Sequence, residues 1–420
     1  MLSTLRKPAL LRIYSIPLLV MMTEQMGGAI GILYALELQA DILQINLITT
    51  VGMVMGISLE IPFGMLSDRL GRKPMLLWSR TIVIAGTLIR LLATSPDHLL
   101  IASLFGGLAG GEFFPILLSM IGDVTEPSKR QEAISTMFLF SSFGMLIGPM
   151  ICSSLLLVSG ISLRNIYQIV IVAQVFLVIY ILVQVRETKA KTLEGHKLNY
   201  RAHIMELIRS RNFQALLVMS FFFSLSRSII QTYIPVYAKT DLHLSNAEVA
   251  SFSIFSNLAV MIIRFLSATL LTRFQSGATL ISVQVIGGVA GIISPLANSF
   301  VSIVLILFVS GISYGAERIL STVLVANNSK SQNRGVANSI FNVSQSTGSM
   351  SKIFTTSLVE ASGFVPALIV GGIIGFATII PPLLHRPLID SLRTPSPETL
   401  QPTPDNAEPE GKAKTGKSAM

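Results

Sequence analysis

Residues 64–74 read GMLSDRLGRKP, placing Asp68, Arg69, Arg72 and Lys73 directly after an apolar run. The chain around them is greasy: 51% of its 420 residues are hydrophobic, 13% are charged and the mean hydropathy is +0.67. An ordinary soluble domain carries roughly 25% charged residues. This balance places the chain in a membrane, and the polar cluster reads as a loop between two spans. An α-helix rises about 1.5 Å per residue and needs about 20 apolar residues to cross about 30 Å of hydrocarbon. Twelve stretches fit, near 13–38, 44–66, 75–94, 98–121, 132–158, 163–185, 212–238, 246–271, 278–298, 300–325, 336–359 and 364–384. Backbone groups in segments this long and apolar are best satisfied inside membrane helices, which argues against a water-soluble helical protein. The expected fold class is an all-α membrane protein with 12 transmembrane helices.

Basic residues orient the spans, because lysine and arginine in short loops are retained on the cytoplasmic side. With a cytoplasmic N-terminus, the inner segments hold Arg6, Lys7, Arg12, Arg69, Arg72, Lys73, Lys129, Arg130, the stretch Arg186 to Arg211, Arg273, Lys330, Arg334 and the tail. The outer loops hold only Arg164 and Lys239. Both termini are therefore expected in the cytoplasm, with the protein in the plasma (inner) membrane. The formal charge of +9 is chiefly a topology signal and a weak attraction to anionic lipid. No aromatic-interleaved basic face points to nucleic acid. Span one has a basic start like a signal peptide, but its length and the lack of a small-residue cleavage site read as a retained span. Cys152, the single cysteine, falls in an apolar helix and reads as a buried, inert thiol.

Between spans six and seven lies RETKAKTLEGHKLNYRAHIMELIRSR, a polar segment of 26 residues that divides the spans six and six. A shift of 204 positions superposes Arg69 on Arg273, Gly107 on Gly311, Gly111 on Gly315, Arg130 on Arg334, Ala133 on Ala337, Ser135 on Ser339 and Gly144 on Gly348 without a gap. The chain reads as a duplicated six-helix unit: an N-terminal half 1–185, a cytoplasmic linker 186–211 and a C-terminal half 212–384. The tail 385–420 is rich in proline and charge and is expected to be disordered. Such duplication is typical of transporters that bind substrate between the halves near the bilayer midplane.

Gly64, Asp68, Arg69, Gly71, Arg72 and Lys73 fit G-x-x-x-D-R-x-G-R-[RK] between spans two and three. The chain thereby resembles the major facilitator superfamily over approximately residues 10–384. A positive-inside anchor would explain the bases but not Asp68 or the glycine spacing. In that family the loop latches the two halves in the outward-facing state. The resemblance implies this role for Asp68 and Arg72, with Asp123 at the end of span four as partner of Arg72. The second copy has decayed to Ala268, Thr272 and Arg273, so one working latch is expected. In span five, Gly144, Gly148 and Pro149 form G-x-x-x-G-P, similar to the motif of the drug:proton antiporter branch, although the same spacing also describes close helix packing. Antiporter relatives usually carry an arginine in span four where this chain has Ser103.

Charge within the membrane costs roughly 2.5–3.5 kcal/mol per residue at a helix centre on insertion scales, so each such residue is a functional candidate. Glu24 lies in span one, Glu112 in span four, Arg227 in span seven, and Glu317 with Arg318 in span ten. The resemblance implies that these four spans line the central cavity. Glu112 and Glu24 are candidates for proton coupling. Glu112 precedes Phe113, Phe114 and Pro115, apolar surroundings that favour a neutral carboxylic acid able to carry a proton. Arg227, Gln231, Glu317 and Arg318 are candidates for the substrate cavity. Glu24 and Arg227, on symmetry-related spans, could instead form a static buried pair. Glu60, Arg80, Arg90, Arg264 and Lys352 lie on other spans or nearer helix ends, where snorkelling or local pairing is the cheaper account.

Metal-ligand spacing, a G-x-S-x-G elbow and a phosphate-binding loop are missing, which excludes the motif-based enzyme classes and ATP-driven pumping. The expected activity is secondary transport without a cofactor, powered by a proton gradient: export of a small amphiphilic organic compound in exchange for protons, by a monomer in a lipid bilayer. Import of an organic anion or similar metabolite, with Arg227 and Arg318 as substrate ligands, is the alternative, and a non-transporting membrane sensor or scaffold with the same fold is a third.

Overall fold

The computed structural model describes residues 8–110, 113–126, 129–158, 160–188, 200–274, 277–329 and 334–392. Every regular element among them is helical. The N-terminal half contains α1 (Pro8–Glu37), α2 (Ile42–Leu70), α3 (Arg72–Leu91), α4 (Pro96–Gly110), α5 (Phe113–Val124), α6 (Arg130–Leu156) and α7 (Leu163–Gln184). A short α8 (Tyr200–Arg209) falls in the expected linker. The C-terminal half contains α9 (Arg211–Thr240), α10 (Asn246–Phe274), α11 (Gly277–Ile293), α12 (Phe300–Asn327), α13 (Arg334–Met350), α14 (Thr356–Ser362), α15 (Phe364–Ala377), α16 (Ile380–Leu384) and α17 (Arg386–Asp390).

Among the described residues, 11 segments are long and apolar enough to cross a membrane, with α4 and α5 together making one of them. The predicted span near 336–359 is the exception. Its path runs from α13, which carries Asn338, Asn342, Gln345, Ser346 and Ser349, through a 3₁₀ turn, Ser351–Thr355, into α14. The break leaves no single helix there long and apolar enough to be one of the 11, yet the path links α12 to α15 across the bundle and supplies the twelfth crossing. The expected tail also starts too early. Leu388 and Leu392 are buried in the core of the C-terminal half, and the Asn327 side chain donates to the Ser391 carbonyl at 2.8 Å.

Side-chain caps fix where spans begin on the face remote from the N-terminus, here the distal face. Asp41 accepts from the Gln44 amide at 2.7 Å while the Gln44 side chain accepts from the Asp41 amide at 3.1 Å. Ser162 with Asn165 and Ser299 with Ser302 repeat this reciprocal box at the starts of α7 and α12, and Ser245 with Glu248 does so before α10. Each box satisfies backbone donors that a helix start leaves open.

The halves repeat each other in packing. α1 packs on α6 and α7 as α9 packs on α13 and α15; α2 packs on α4 as α10 packs on α12; α3 packs on α4 and α7 as α11 packs on α12 and α15. The 204-residue shift holds at single contacts. A side chain on Gly107 would run into the Gly52 carbonyl, and one on Gly311 would stand 2.6 Å from the Ser256 carbonyl oxygen. Ser79 Oγ donates to the Ala109 carbonyl at 2.9 Å, and Ser313 Oγ donates to the Val283 carbonyl at 2.7 Å, the equivalent pair with the donor exchanged.

Apolar packing differs between the two faces. Toward the distal face one core spans both halves, joining Ile30, Tyr34 and Tyr167 to Ile229, Tyr233 and Leu368. At the terminal face there are two cores. Leu10, Tyr14, Met75, Leu117 and Leu177 belong to the N-terminal half alone; Phe213, Leu280, Leu320, Phe341 and Leu388 belong to the C-terminal half alone. The halves are thus sealed together at one end and separately packed at the other.

Candidate functional site

A cavity of about 680 Å³ lies between the halves. α1, α2 and α4 supply glycines and aliphatic side chains, among them Gly28, Gly31, Gly52, Ile32, Ile48 and Leu99, and Tyr167 supplies a phenol. The opposite wall is polar: Arg227, Ser228, Gln231 and Thr232 from α9, with Ser346, Ser349 and Lys352 from the broken span. Arg90, at the distal end of α3, completes the lining. Two of the four expected cavity residues, Arg227 and Gln231, are therefore at its surface.

The remaining two stand behind that wall. Glu317 is fully buried and accepts from Ser321 Oγ at 2.6 Å. Arg318 donates to the Gln345 side chain and, at 3.4 Å, to Asn342 Oδ1. Neither is part of the cavity lining, and it is Tyr314, one turn earlier on α12, that takes the Arg227 guanidinium on its ring, 3.1 Å from the centroid. Arg227 consequently does not pair with Glu24.

Glu24 pairs instead with Arg80, 2.8 Å away on α3. Arg80 is 3% exposed. It also donates to Ser79 Oγ and the Ala109 carbonyl and lies 4.8 Å from the Phe113 ring centroid. Of the two accounts expected for Arg80, snorkelling and local pairing, the structure shows local pairing, with a full set of partners inside the half in place of water. Lys352 does not snorkel either: it is 3% exposed and its Nζ is held locally, donating to Thr232 Oγ1 at 2.6 Å. Arg264 crosses between the halves to donate to Ser142 Oγ at 3.0 Å. The side chain of Glu60 lies outside the described residues.

The cavity charges are one-sided. Arg90, Arg227 and Lys352 line it, and no acidic side chain does among the described residues. None of the three has a carboxylate within ion-pair distance among the described residues. Arg90 is the barest: its guanidinium has no hydrogen-bond or ion-pair partner among the described residues and stands 3.7 Å from where a Cβ on Gly106 would be. It brings a guanidinium from α3 to the part of α4 where Ser103, also lining the cavity, replaces the arginine usual in antiporter relatives. A sequence signal for Arg90 and Lys352 exists: both are bases toward the face that positive-inside counting makes non-cytoplasmic, where bases are disfavoured.

At the terminal face, Gly71 turns the chain between α2 and α3 with φ of 108°, a conformation that strains any residue with a Cβ. Arg72 Nε lies 3.7 Å from Asp123 Oδ2, the predicted partner. The backbone amides of Arg72 and Lys73 donate to the two carboxylate oxygens of Glu187, at 3.0 and 3.1 Å. Glu187, at the edge of the expected linker, thus caps the start of α3, where an anion is favoured by open amides and the helix dipole. Thr188 Oγ1 reaches Asp123 Oδ2 at 3.2 Å. Arg69 is exposed, Gly64 and Asp68 are on α2, and the side chain of Asp68 lies outside the described residues, as does the whole of Glu112. Gly144 and Gly148 press α6 onto the Leu18 and Met22 carbonyls of α1, and Pro149 follows within the same helix. The motif thus makes a close helix contact in this protein.

The profile of the Major Facilitator Superfamily matches residues 13–351. The inner membrane transport protein YajR of Escherichia coli is 31% identical over 102 residues, which cover 23% of this chain and 22% of YajR. The match therefore spans about a fifth of that relative. Among solved structures, a mutant of the nucleoside transporter NupG superposes with a TM-score of 0.74 at 14% identity, covering 90% of this chain and 99% of that one. The human organic anion transporter MFSD10 (TETRAN) superposes with a TM-score of 0.63 at 13% identity, covering 89% and 98%. At these identities the likeness is one of fold. The chain is a multi-pass membrane protein, and it belongs to the Major Facilitator Superfamily.

Proposed function

We propose that this protein carries a small amphiphilic organic anion by alternating access. The observation that supports the reading is the trio Arg90, Arg227 and Lys352 in a cavity without a described carboxylate. Charge without a counter-ion at membrane depth is expensive, and an anionic ligand is the partner that offsets the cost. The aliphatic wall of Ile32, Ile48 and Leu99 suits an apolar body attached to that charge. With the termini in the cytoplasm, as the basic loops favour, the distal seal is extracytoplasmic and the cavity belongs to an inward-facing state. The Asp123–Arg72–Glu187 cluster then holds the terminal-face loop in order, and Asp68 joins the latch when the protein faces outward.

Export in exchange for protons is the direction we favour, with Glu24 and Glu112 as the proposed proton-carrying acids. Protonation of Glu24 would break its ion pair with Arg80. A cycle that moves an anion out and a proton in shifts positive charge inward twice, so an inside-negative potential drives it, at about 2.3 kcal/mol per charge per 100 mV.

The test is binding of 1-naphthoate to the purified transporter in detergent, followed by calorimetry. Arg90→Gln is expected to weaken binding at least about tenfold, the scale of one charge-assisted hydrogen bond. Equal affinity in the variant, or tighter binding of 1-naphthylmethylamine than of the carboxylate, would remove the anion reading.

A further inference from the structure

The 3₁₀ turn Ser351–Thr355 carries a cavity cation and part of the distal seal within four residues. Lys352 faces the cavity at one end, with Nζ on Thr232 Oγ1 at 2.6 Å. At the other end the Tyr233 hydroxyl, next in sequence to Thr232, lies 2.8 Å from Thr355 Oγ1. Two rungs therefore tie the turn to α9. A residue of the N-terminal half closes the arrangement: Asn46 Nδ2 donates to the Tyr233 hydroxyl and to Thr356 Oγ1, each at 3.0 Å.

The donors run in one direction. Thr355 Oγ1 donates to the Lys352 carbonyl at 2.6 Å, so its lone pairs are left to receive the Tyr233 proton, and the Tyr233 oxygen receives from Asn46. The chain of bonds across the seal ends on the backbone of the lysine that lines the cavity. Asn46, Tyr233, Lys352, Thr355 and Thr356 are all buried, so none of these bonds is replaced by water in place. Asn46 Oδ1 has no hydrogen-bond partner among the described residues. A buried acceptor left open weakens the closed arrangement. Short 3₁₀ stretches inside helices often mark hinges, and this one interrupts a span that also packs on α2.

We propose that this turn transmits anion binding to the distal seal. An anion in the cavity draws the Lys352 ammonium off Thr232, the turn rotates, and Thr355 and Thr356 leave Tyr233 and Asn46, so that the distal ends of the halves part. The anionic nature of the trigger rests on the reading of the cavity given above; the mechanical link between Lys352 and the seal does not. Lys352, Thr232, Tyr233 and Asn46 act here as positioning residues, whatever else touches substrate.

The experiment measures the distance between spin labels on cysteines at Leu43 and Glu360, exposed positions flanking the seal on either half, in full-length protein with Cys152→Ala, reconstituted in nanodiscs. Without ligand, Lys352→Met and Thr232→Val remove the same rung from opposite sides, and Asn46→Leu removes the cross-half bonds. Each is expected to raise the long-distance population about tenfold, the equivalent of one or two buried hydrogen bonds. Adding 1-naphthoate is expected to do the same to the parent protein and nothing further to Lys352→Met. If Asn46→Leu opens the seal while both Lys352→Met and Thr232→Val leave it shut, the link is refuted. If both rung variants open it but 1-naphthoate does not, the link stands and the anion reading falls. A variant that misfolds is set aside by its elution profile, and the other rung variant decides.

Discussion

Glu24→Leu is the perturbation whose outcome the structure specifies most closely. Glu24 and Arg80 are 2.8 Å apart, which at an effective dielectric constant of about 20 is a gross attraction of about 6 kcal/mol. Most of that is offset by desolvation of Arg80, 3% exposed, and by solvent screening of Glu24, whose side chain is 37% exposed. Without Glu24 the guanidinium keeps Ser79, the Ala109 carbonyl and the face of Phe113. The expected loss is therefore about 2–3 kcal/mol, somewhat below the roughly 3–5 kcal/mol that breaking a fully buried pair costs. Arg80→Met removes the charge with its desolvation cost and leaves Glu24 able to reach solvent, so its loss is about 1 kcal/mol. Glu24→Leu with Arg80→Met should resemble Arg80→Met alone, a coupling of about 2 kcal/mol. A thermal-challenge series read by size-exclusion chromatography ranks the variants. Greater instability of Arg80→Met than of Glu24→Leu, or additive losses in the double variant, would refute the reasoning.

Gly71→Val combines a φ of 108° with a Cβ 2.6 Å from Glu187 Oε2 and should cost about 1–3 kcal/mol; Gly160→Ala, with positive φ and open space around it, is the milder comparison in the same thermal series. Asp68→Asn should leave expression intact and strongly reduce turnover, whereas Thr272→Ala should do little; equal transport by Asp68→Asn and the parent at equal expression would dismiss the latch. Glu112→Gln should abolish concentration of substrate by a pH gradient while exchange without a gradient survives. If Glu24→Gln shows that phenotype instead, the proton site belongs on α1.

The spans are legible because length and apolar content are one-dimensional properties, and the repeat is legible because Gly107 and Gly311 each face a carbonyl 55 residues earlier. The GMLSDRLGRKP loop announces both its place and its partner Asp123. What escapes are the faces of nearly uniform apolar helices. Arg80 and Lys352 show the same loss from the other side: their segments carry polar residues on one face, but the sequence does not tell whether that face meets water, a neighbouring helix or a cavity. Glu317 and Arg318 illustrate the same loss: adjacent on α12, they belong to the cavity by helix number alone, and the α12 side chain that meets the cavity residue Arg227 is Tyr314. Glu187 is hidden by its position, 115 residues from the amide it caps. The eleventh span is legible by its length, but its break at Ser351–Thr355 is not, because no proline or glycine marks the turn.

Flux through the reconstituted transporter tests the central claim most directly. Proteoliposomes loaded with 1-naphthoate, 1-naphthamide or 1-naphthylmethylamine present one ring system with negative, neutral or positive charge to the same cavity. With an imposed pH gradient and membrane potential, the account predicts protein-dependent movement of the carboxylate, little of the amide or the amine, and loss of carboxylate movement in Arg90→Gln. Preferential movement of the amine, or carboxylate flux unchanged by Arg90→Gln, would contradict it.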